Sequence, residues 1–259
     1  MKRNSANTKE YKENRRIAET RSHMVVKSND LIQNSRFKLS VQEQKIILYL
    51  ISKIEPGDKE FKESVLSVQD FCKTCGIDFE NGGNYQYIKA TIKSLSDKSV
   101  WISFGDMEKL MRWIYTAEIH KRSGKISIRL SDEIKPYLLE LKNRFTRYEL
   151  VYTLAMKSKY SIRLYELLKS HEYRGTAEFD LVLLKRLIDA ENYTRIDNFK
   201  NKALHIAIRE INDVSDITIE YNTVKTGYRI TGIIFKIETK KDFSDRMAVW
   251  RNIESIMNH

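Results

Sequence analysis

Hydrophobic residues recur along this chain in two periods, and the order in which the periods alternate predicts its architecture. Ile46, Ile47, Leu50, Ile51 and Ile54 fall at helical spacing. Ser40-Val-Gln-Glu43 precedes them and fits a capping box: Ser40 caps the helix and Glu43 reaches back to the cap amide. Pro56-Gly57 ends that helix. Residues 65–68 read as a short strand, and 70–76 as a short helix begun by Asp70 and stopped at Gly76. Gly82-Gly83 marks a loop, after which Tyr85, Ile88, Ile92 and Leu95 lay out an amphipathic helix. Residues 100–104, 113–119 and 125–130 alternate as strands, with Ser123-Gly124 as the turn between the last two. Residues 132–141 are expected to be helical although they contain Pro136.

The second half repeats this order. Residues 143–157 read as a junction, and 158–170 as a helix with Ile162, Tyr165 and Leu168 inward. Residues 177–179 form a strand, Asp180 caps a helix through Ile188, and Asp197 caps a longer one through Ile211. Strands at 217–221 and 229–237 flank a turn at Thr226-Gly227. Ser40 and Ser158, Asp70 and Asp180, and Val100 and Ile217 lie 118, 110 and 117 positions apart, so one module occurs twice. Each copy runs helix, strand, helix, helix, hairpin, the order of a winged helix. The predicted fold is α+β, with two tandem winged-helix domains at 25–142 and 143–259. Residues 1–24 are polar and aperiodic and are expected to be a mobile basic tail, either merely solvated or touching DNA. In 240–259, Phe243, Met247, Trp250, Ile253 and Met257 recur every three or four residues. They predict a helix packed back on the second domain, or else a partner surface.

Composition narrows the function. No window approaches 18 uninterrupted apolar residues, so no membrane span is expected. The N-terminus has no apolar secretory segment, which suits a cytoplasmic protein. Cys72 and Cys75 form a single Cys-Lys-Thr-Cys pair without the second pair that a structural zinc site needs, and read as reduced thiols. Net charge is +11, divided as +5 over residues 1–27, +2 over 28–142 and +4 over 143–259. Such a balance suits a polyanion, most often nucleic acid.

Catalytic signatures are missing. No Gly-x-x-x-x-Gly-Lys phosphate loop occurs. His23, His120, His171, His205 and His259 are scattered, without the His-x-His pair that metal-dependent nicking requires. The expectation is therefore no enzyme, no cofactor and no bound metal.

A DNA-reading surface is visible instead. On a helical wheel, Phe199, Ala203, Leu204, Ile206, Ala207, Ile208 and Ile211 share one broad face. Asn201, Lys202, His205 and Arg209 gather on the other, with Lys200 close by. Those side chains carry the donors and acceptors that read base edges in a major groove. The same pattern could be an ordinary solvated face, but its place before a wing favours DNA. The equivalent helix of the first half exposes Gln86, Lys89 and Lys93, better suited to phosphate than to bases. Lys225, Tyr228 and Arg229 make one basic wing, and Lys121, Arg122 and Lys125 the other. Tyr193 and Arg195, in the loop before the reading helix, are placed to reach the DNA backbone.

The wording of several segments resembles a known family. Val-Val-Lys-Ser-Asn-Asp-Leu-Ile-Gln at 25–33, Asn-Ser-Arg-Phe-Lys-Leu at 34–39 and Ser-Val-Gln-Glu-Gln-Lys-Ile at 40–46 resemble the start of the iteron-binding plasmid replication initiators of the RepA/RepE/RepB type. Ser-Lys-Tyr-Ser-Ile-Arg-Leu-Tyr-Glu-Leu-Leu at 158–168, Phe-Lys-Asn-Lys-Ala-Leu at 199–204 and Ala-Ile-Arg-Glu-Ile-Asn at 207–212 are the more specific matches. The likeness runs from about residue 25 to 238. It implies binding to tandem origin repeats (iterons) as a monomer, melting of adjacent AT-rich DNA, and recruitment of the host replication initiator and replicative helicase. It also implies a homodimer in equilibrium with the monomer, which binds an inverted repeat and represses its own gene. Asn201, Lys202, His205 and Arg209 would then read bases, while Lys89 and Lys93 support a backbone contact from a domain that also dimerises. The cysteine pair and the last 20 residues fall outside the resemblance. A plain winged-helix transcriptional repressor is the alternative, since both classes bind duplex DNA.

Overall fold

The structure, a computed structural model, describes residues 2–75, 83–120 and 122–257, with side chains from residue 11 onward apart from those of 83 and 84. Gly76, Gly82, Lys121 and His259 of the expectations above lie outside the described residues.

The expected mobile tail is instead a helix, α1 (Lys2–Arg21). Its sequence lacks an apolar stripe but is also free of glycine and proline, and Arg15 and Glu19 pair one turn apart at 3.0 Å. β1 (Met24–Ser28), α2 (Asn29–Gln33) and the two-residue β2 (Ser35–Arg36) follow. α3 (Val41–Ile51) carries the expected capping box: Ser40 Oγ accepts from the Glu43 amide, and Glu43 accepts from the Ser40 amide at 2.6 Å. β3 (Ser64–Ser67) leads into α4 (Val68–Thr74), which starts two residues before the expected Asp70 and is capped by Ser67. Ser67 has the extended backbone of a cap, and its hydroxyl accepts from the Asp70 amide. α1 docks on α4 through polar bonds, which is why no apolar stripe announced it. Arg16 pairs with Asp70, Lys73 with Glu13 at 2.7 Å, and Arg21 donates to the Lys73 and Thr74 carbonyls.

α5 (Gly83–Ser96) is followed by β4 (Ser99–Phe104), β5 (Met107–Arg112), β6 (Ile114–His120) and β7 (Lys125–Leu130). β5 was not foreseen: all but one of its residues are exposed, so it shows no alternation. Residues 132–141 do not form the expected helix; a short 3-10 segment spans Asp132–Tyr137, where Pro136 has no amide to give. β3 pairs with β7, and β7 with β6, whereas β4 lies in a separate sheet between β2 and β5.

The expected junction is structured. β8 (Phe145–Glu149) returns to pair with β1, placing Tyr148 opposite Val25. The chain therefore does not part cleanly at 142/143. α6 (Leu150–Ala155) is buried throughout, and α7 (Lys159–Lys169) is buried at all but its two end residues. β9 (Thr176–Asp180) ends at Asp180, which caps α8 (Leu181–Leu187) as expected, accepting from the Val182 and Leu183 amides. α9 (Ile196–Phe199) and α10 (His205–Val214) are joined by a wider turn described below. β10 (Ile217–Thr226) and β11 (Arg229–Thr239) form a long hairpin, and β9 pairs with β11.

The two halves share a topology: the strand between the first and second helices pairs with the last strand of the hairpin. That makes β6 and β7, not β4, the counterpart of β10 and β11. The spacing of Val100 from Ile217 thus matched unlike strands. One continuous apolar core runs through both halves. α11 (Phe243–Met257) packs back through Val249, Ile253 and Met257, while Phe243 and Met247 of the expected seam are exposed. Among the described residues no helix is long and apolar enough to cross a membrane.

Candidate nucleic-acid interface

The segment that was expected to be one helix capped by Asp197 is helical from Ile196 to Val214, but not uniformly. Its N-cap is Arg195, without a side-chain cap bond, and Asp197 lies one residue inside the first turn. Lys200–Leu204 forms a π-turn between α9 and α10. The buried positions explain the widening. Phe199, Ala203, Ala207 and Ile211 are spaced four apart and each is wholly buried. At 3.6 residues per turn, steps of four drift by roughly 40° each. A wider turn opposes that drift and keeps the seam on one face. Ile206 and Ile208, expected inward, end up half-buried.

Opposite that seam, Asn201, Lys202, His205 and Arg209 are all exposed, and Lys200 is half-buried at its edge. Three contacts fix this face against the wing and the preceding loop. The Asn212 amide donates to the Ile219 carbonyl at 3.0 Å, and the Ile219 N–H donates to Asn212 Oδ1 at 2.7 Å. The His205 ring Nε2 lies 2.8 Å from the Tyr221 hydroxyl on β10. Lys185 donates to the Tyr193 carbonyl at 2.8 Å and sits 5.2 Å from the Phe199 ring centre. Asn212 and Tyr221 carry no sequence signal of their own; only the pairing of α10 with β10 reveals them.

The β10–β11 wing is shaped by a register shift at Val224/Lys225 and by Gly227, whose φ of 60° suits the turn. Gly232 lets β11 lie close to β9, since a Cβ there would meet the Phe179 carbonyl oxygen at 2.9 Å. At the tip Lys225, Tyr228 and Arg229 are exposed. Among the described residues, Arg195, Lys200, Lys202, Arg209, Lys225 and Arg229 have no side-chain hydrogen bond or ion pair. Uncompensated cations on the same winged helix as exposed amide and imidazole groups suit a polyanion.

The first half offers a weaker version. α5 buries Ile88, Ile92 and Leu95 and exposes Gln86, Lys89 and Lys93. Lys93 is already paired with Asp97 at 2.5 Å, whereas Lys89 has no ion-pair partner among the described residues. Arg122 and Lys125 are exposed at the β6–β7 turn. Cys72 and Cys75 are buried free thiols, and burial pushes them up to about 11 and about 12 respectively, so both stay protonated at neutral pH.

Comparison with known proteins matches this architecture. The model of the initiator replication protein's first winged helix matches residues 24–169, and that of the initiator Rep protein's second winged helix matches 183–237. A replication initiation protein of Escherichia coli is 26% identical over 247 residues, covering 91% of this chain and 75% of that relative. The crystal structure of the Pi initiator protein in complex with iteron DNA superposes with a TM-score of 0.70 at 19% identity. It covers 86% of this chain and 99% of Pi, and shows that the fold is shared. Domains 2 and 3 of RctB align with a TM-score of 0.46 and 10% identity, over 80% and 86% of the two chains. With two winged helices in tandem, and family models that together take in both, the chain belongs to the plasmid replication initiator (Rep) family.

Proposed function

We propose that this protein starts plasmid replication by binding direct repeats at the origin. The observation that carries this is the exposed face of the Ile196–Val214 helix: Asn201, Lys202, His205 and Arg209 are all exposed there and His205 is bonded to Tyr221 on the wing strand, while among the described residues Lys202, Arg209 and the wing cations Lys225 and Arg229 have no side-chain partner. On this reading α10 enters a major groove and reads bases, while Arg195, Lys200 and the wing hold phosphates. α5, chiefly through Lys89, makes a second and less discriminating contact. As a monomer the protein opens the adjacent AT-rich DNA and recruits the host replication initiator and helicase in the cytoplasm. As a homodimer it represses its own gene. It acts by binding alone, with no catalytic step and no cofactor.

The test is a plasmid carrying the repeats that flank the gene. It should replicate only when this chain is supplied, and footprints should cover several direct repeats. Footprints on a single palindrome without replication would favour a simple repressor. Specific cleavage of supercoiled plasmid with a divalent metal would overturn the non-catalytic reading.

A further inference from the structure

α7 belongs to both halves of the molecule. It is the first helix of the second winged helix, yet its buried polar side chains are bonded into the first. Arg163 is 3% exposed. Its Nε donates to the Leu187 carbonyl at the end of α8, and one terminal nitrogen donates to the Ile32 and Ser35 carbonyls, all at 3.2 Å. Its guanidinium lies 4.5 Å from the centre of the Phe37 ring. Glu166, one turn on, pairs with Arg163 at 3.5 Å and receives Lys27 from β1 at 2.7 Å and the Tyr148 hydroxyl from β8 at 2.6 Å. The other end of the helix is held by α10, where Glu210 accepts from the Lys157 and Ser158 amides, both at 3.1 Å. A bonded path therefore runs from α2, and from β2, whose paired strand β4 directly follows α5, through Arg163 and α7 to the reading helix.

Stability does not account for so polar a joint. Burying charges costs about as much as their pairing returns, and an apolar seam would hold as well. What a guanidinium adds is direction: a planar fork fixed among three carbonyls tolerates no sliding. We propose that Arg163 is a positioning residue that fixes the separation and twist between α5 and α10, so that the protein measures the spacing of the two grooves it contacts. The proposal rests on the DNA-binding reading above. One inserted base pair shifts the second groove by roughly 3.4 Å and about 35°. A rigid pair of helices then loses one contact, whereas a loose pair follows the DNA.

The experiment uses the full chain and a duplex that the wild type selects from a random-sequence library. One and two base pairs are then inserted between the two protected grooves. The wild type should lose about tenfold or more in affinity per insertion, comparable to a mismatched base pair. Arg163→Met should lose less than about threefold, well inside that cost, while still melting cooperatively. A folded Arg163→Met with the wild-type ratio overturns the proposal. Should that variant fail to fold, Arg163→Lys decides: it keeps a charge opposite Glu166 but loses the fork. Its ratio should also collapse, and a wild-type ratio in it overturns the proposal. A wild type that selects no duplex at all would instead sink the DNA-binding reading, and this inference with it.

Discussion

His205 and Tyr221 are joined across the solvent face of the second winged helix, the imidazole Nε2 2.8 Å from the phenol oxygen and the ring centres 6.0 Å apart. One residue belongs to the reading helix and the other to the wing, so the contact fixes how far the imidazole swings. Tyr221→Phe keeps the ring against Phe235, 6.4 Å away, and removes only the hydroxyl. The expected stability cost is about 1 kcal/mol or less, read from urea melts. Specific affinity should fall a few-fold while affinity for random DNA holds. Equal loss on both DNAs would show that His205 needs no such partner.

On the proposed reading, Arg209 and Asn201 are among the side chains that read bases. Either substitution by alanine should cost about 1–3 kcal/mol and relax preference at one position of the repeat. Competition titrations against single-base variants measure this. If Arg209→Ala keeps the full preference, α10 is not the reading helix.

The lysines of α5 should differ, although the sequence makes them look alike. Lys89→Ala is expected to weaken all duplexes alike and to reduce the salt slope by about one. Lys93 is neutralised by Asp97 at 2.5 Å, so Lys93→Ala should change the slope less. Asp97→Ala releases Lys93 and should steepen it. Identical slopes for the two lysine variants would contradict the pairing.

Glu43 gives the fold an acid-sensitive contact. Burial works to raise its carboxyl, but the Lys98 ammonium at 2.7 Å and the Ser40 amide outweigh it and hold the group below the usual glutamate range. A depressed carboxyl stabilises the fold fully above its unfolded value, about 4.3, and loses that contribution as pH falls through the lower folded value. The stability gap between wild type and Glu43→Gln, measured in urea at pH 7 and again near pH 3, should shrink with acid. A gap unchanged across that range would rule the contribution out.

The sequence was clearest where a local signal and its tertiary outcome coincide. The capping box at Ser40, the Asp180 cap and the α7 positions Ile162, Tyr165 and Leu168 needed only spacing to be found. Failures came where distant partners decide. α1 is anchored by Asp70 and Lys73 rather than by its own apolar pattern. β5 is an exposed edge strand that owes its place to β4. The exposed face of the Ile196–Val214 helix was legible because Asn201, Lys202, His205 and Arg209 follow helical period. Its fastening was not: Tyr221 and Asn212 matter through contacts that no periodicity encodes. Lys93 looked like a phosphate ligand because its partner, four residues on, lies outside the apolar repeat that defined the helix.

The pairing of β1 with β8 also bears on how the chain is made. Val25 meets Tyr148, and Ser28 meets Phe145, so the first strand cannot close until more than a hundred further residues have left the ribosome. At synthesis rates of about 5–20 residues per second, that wait is on the order of ten seconds. Throughout it, a strand edge bearing Val25 and Val26 has no partner of its own. The nascent protein is therefore open to mispairing with a neighbouring copy along that edge until residues 145–149 have emerged.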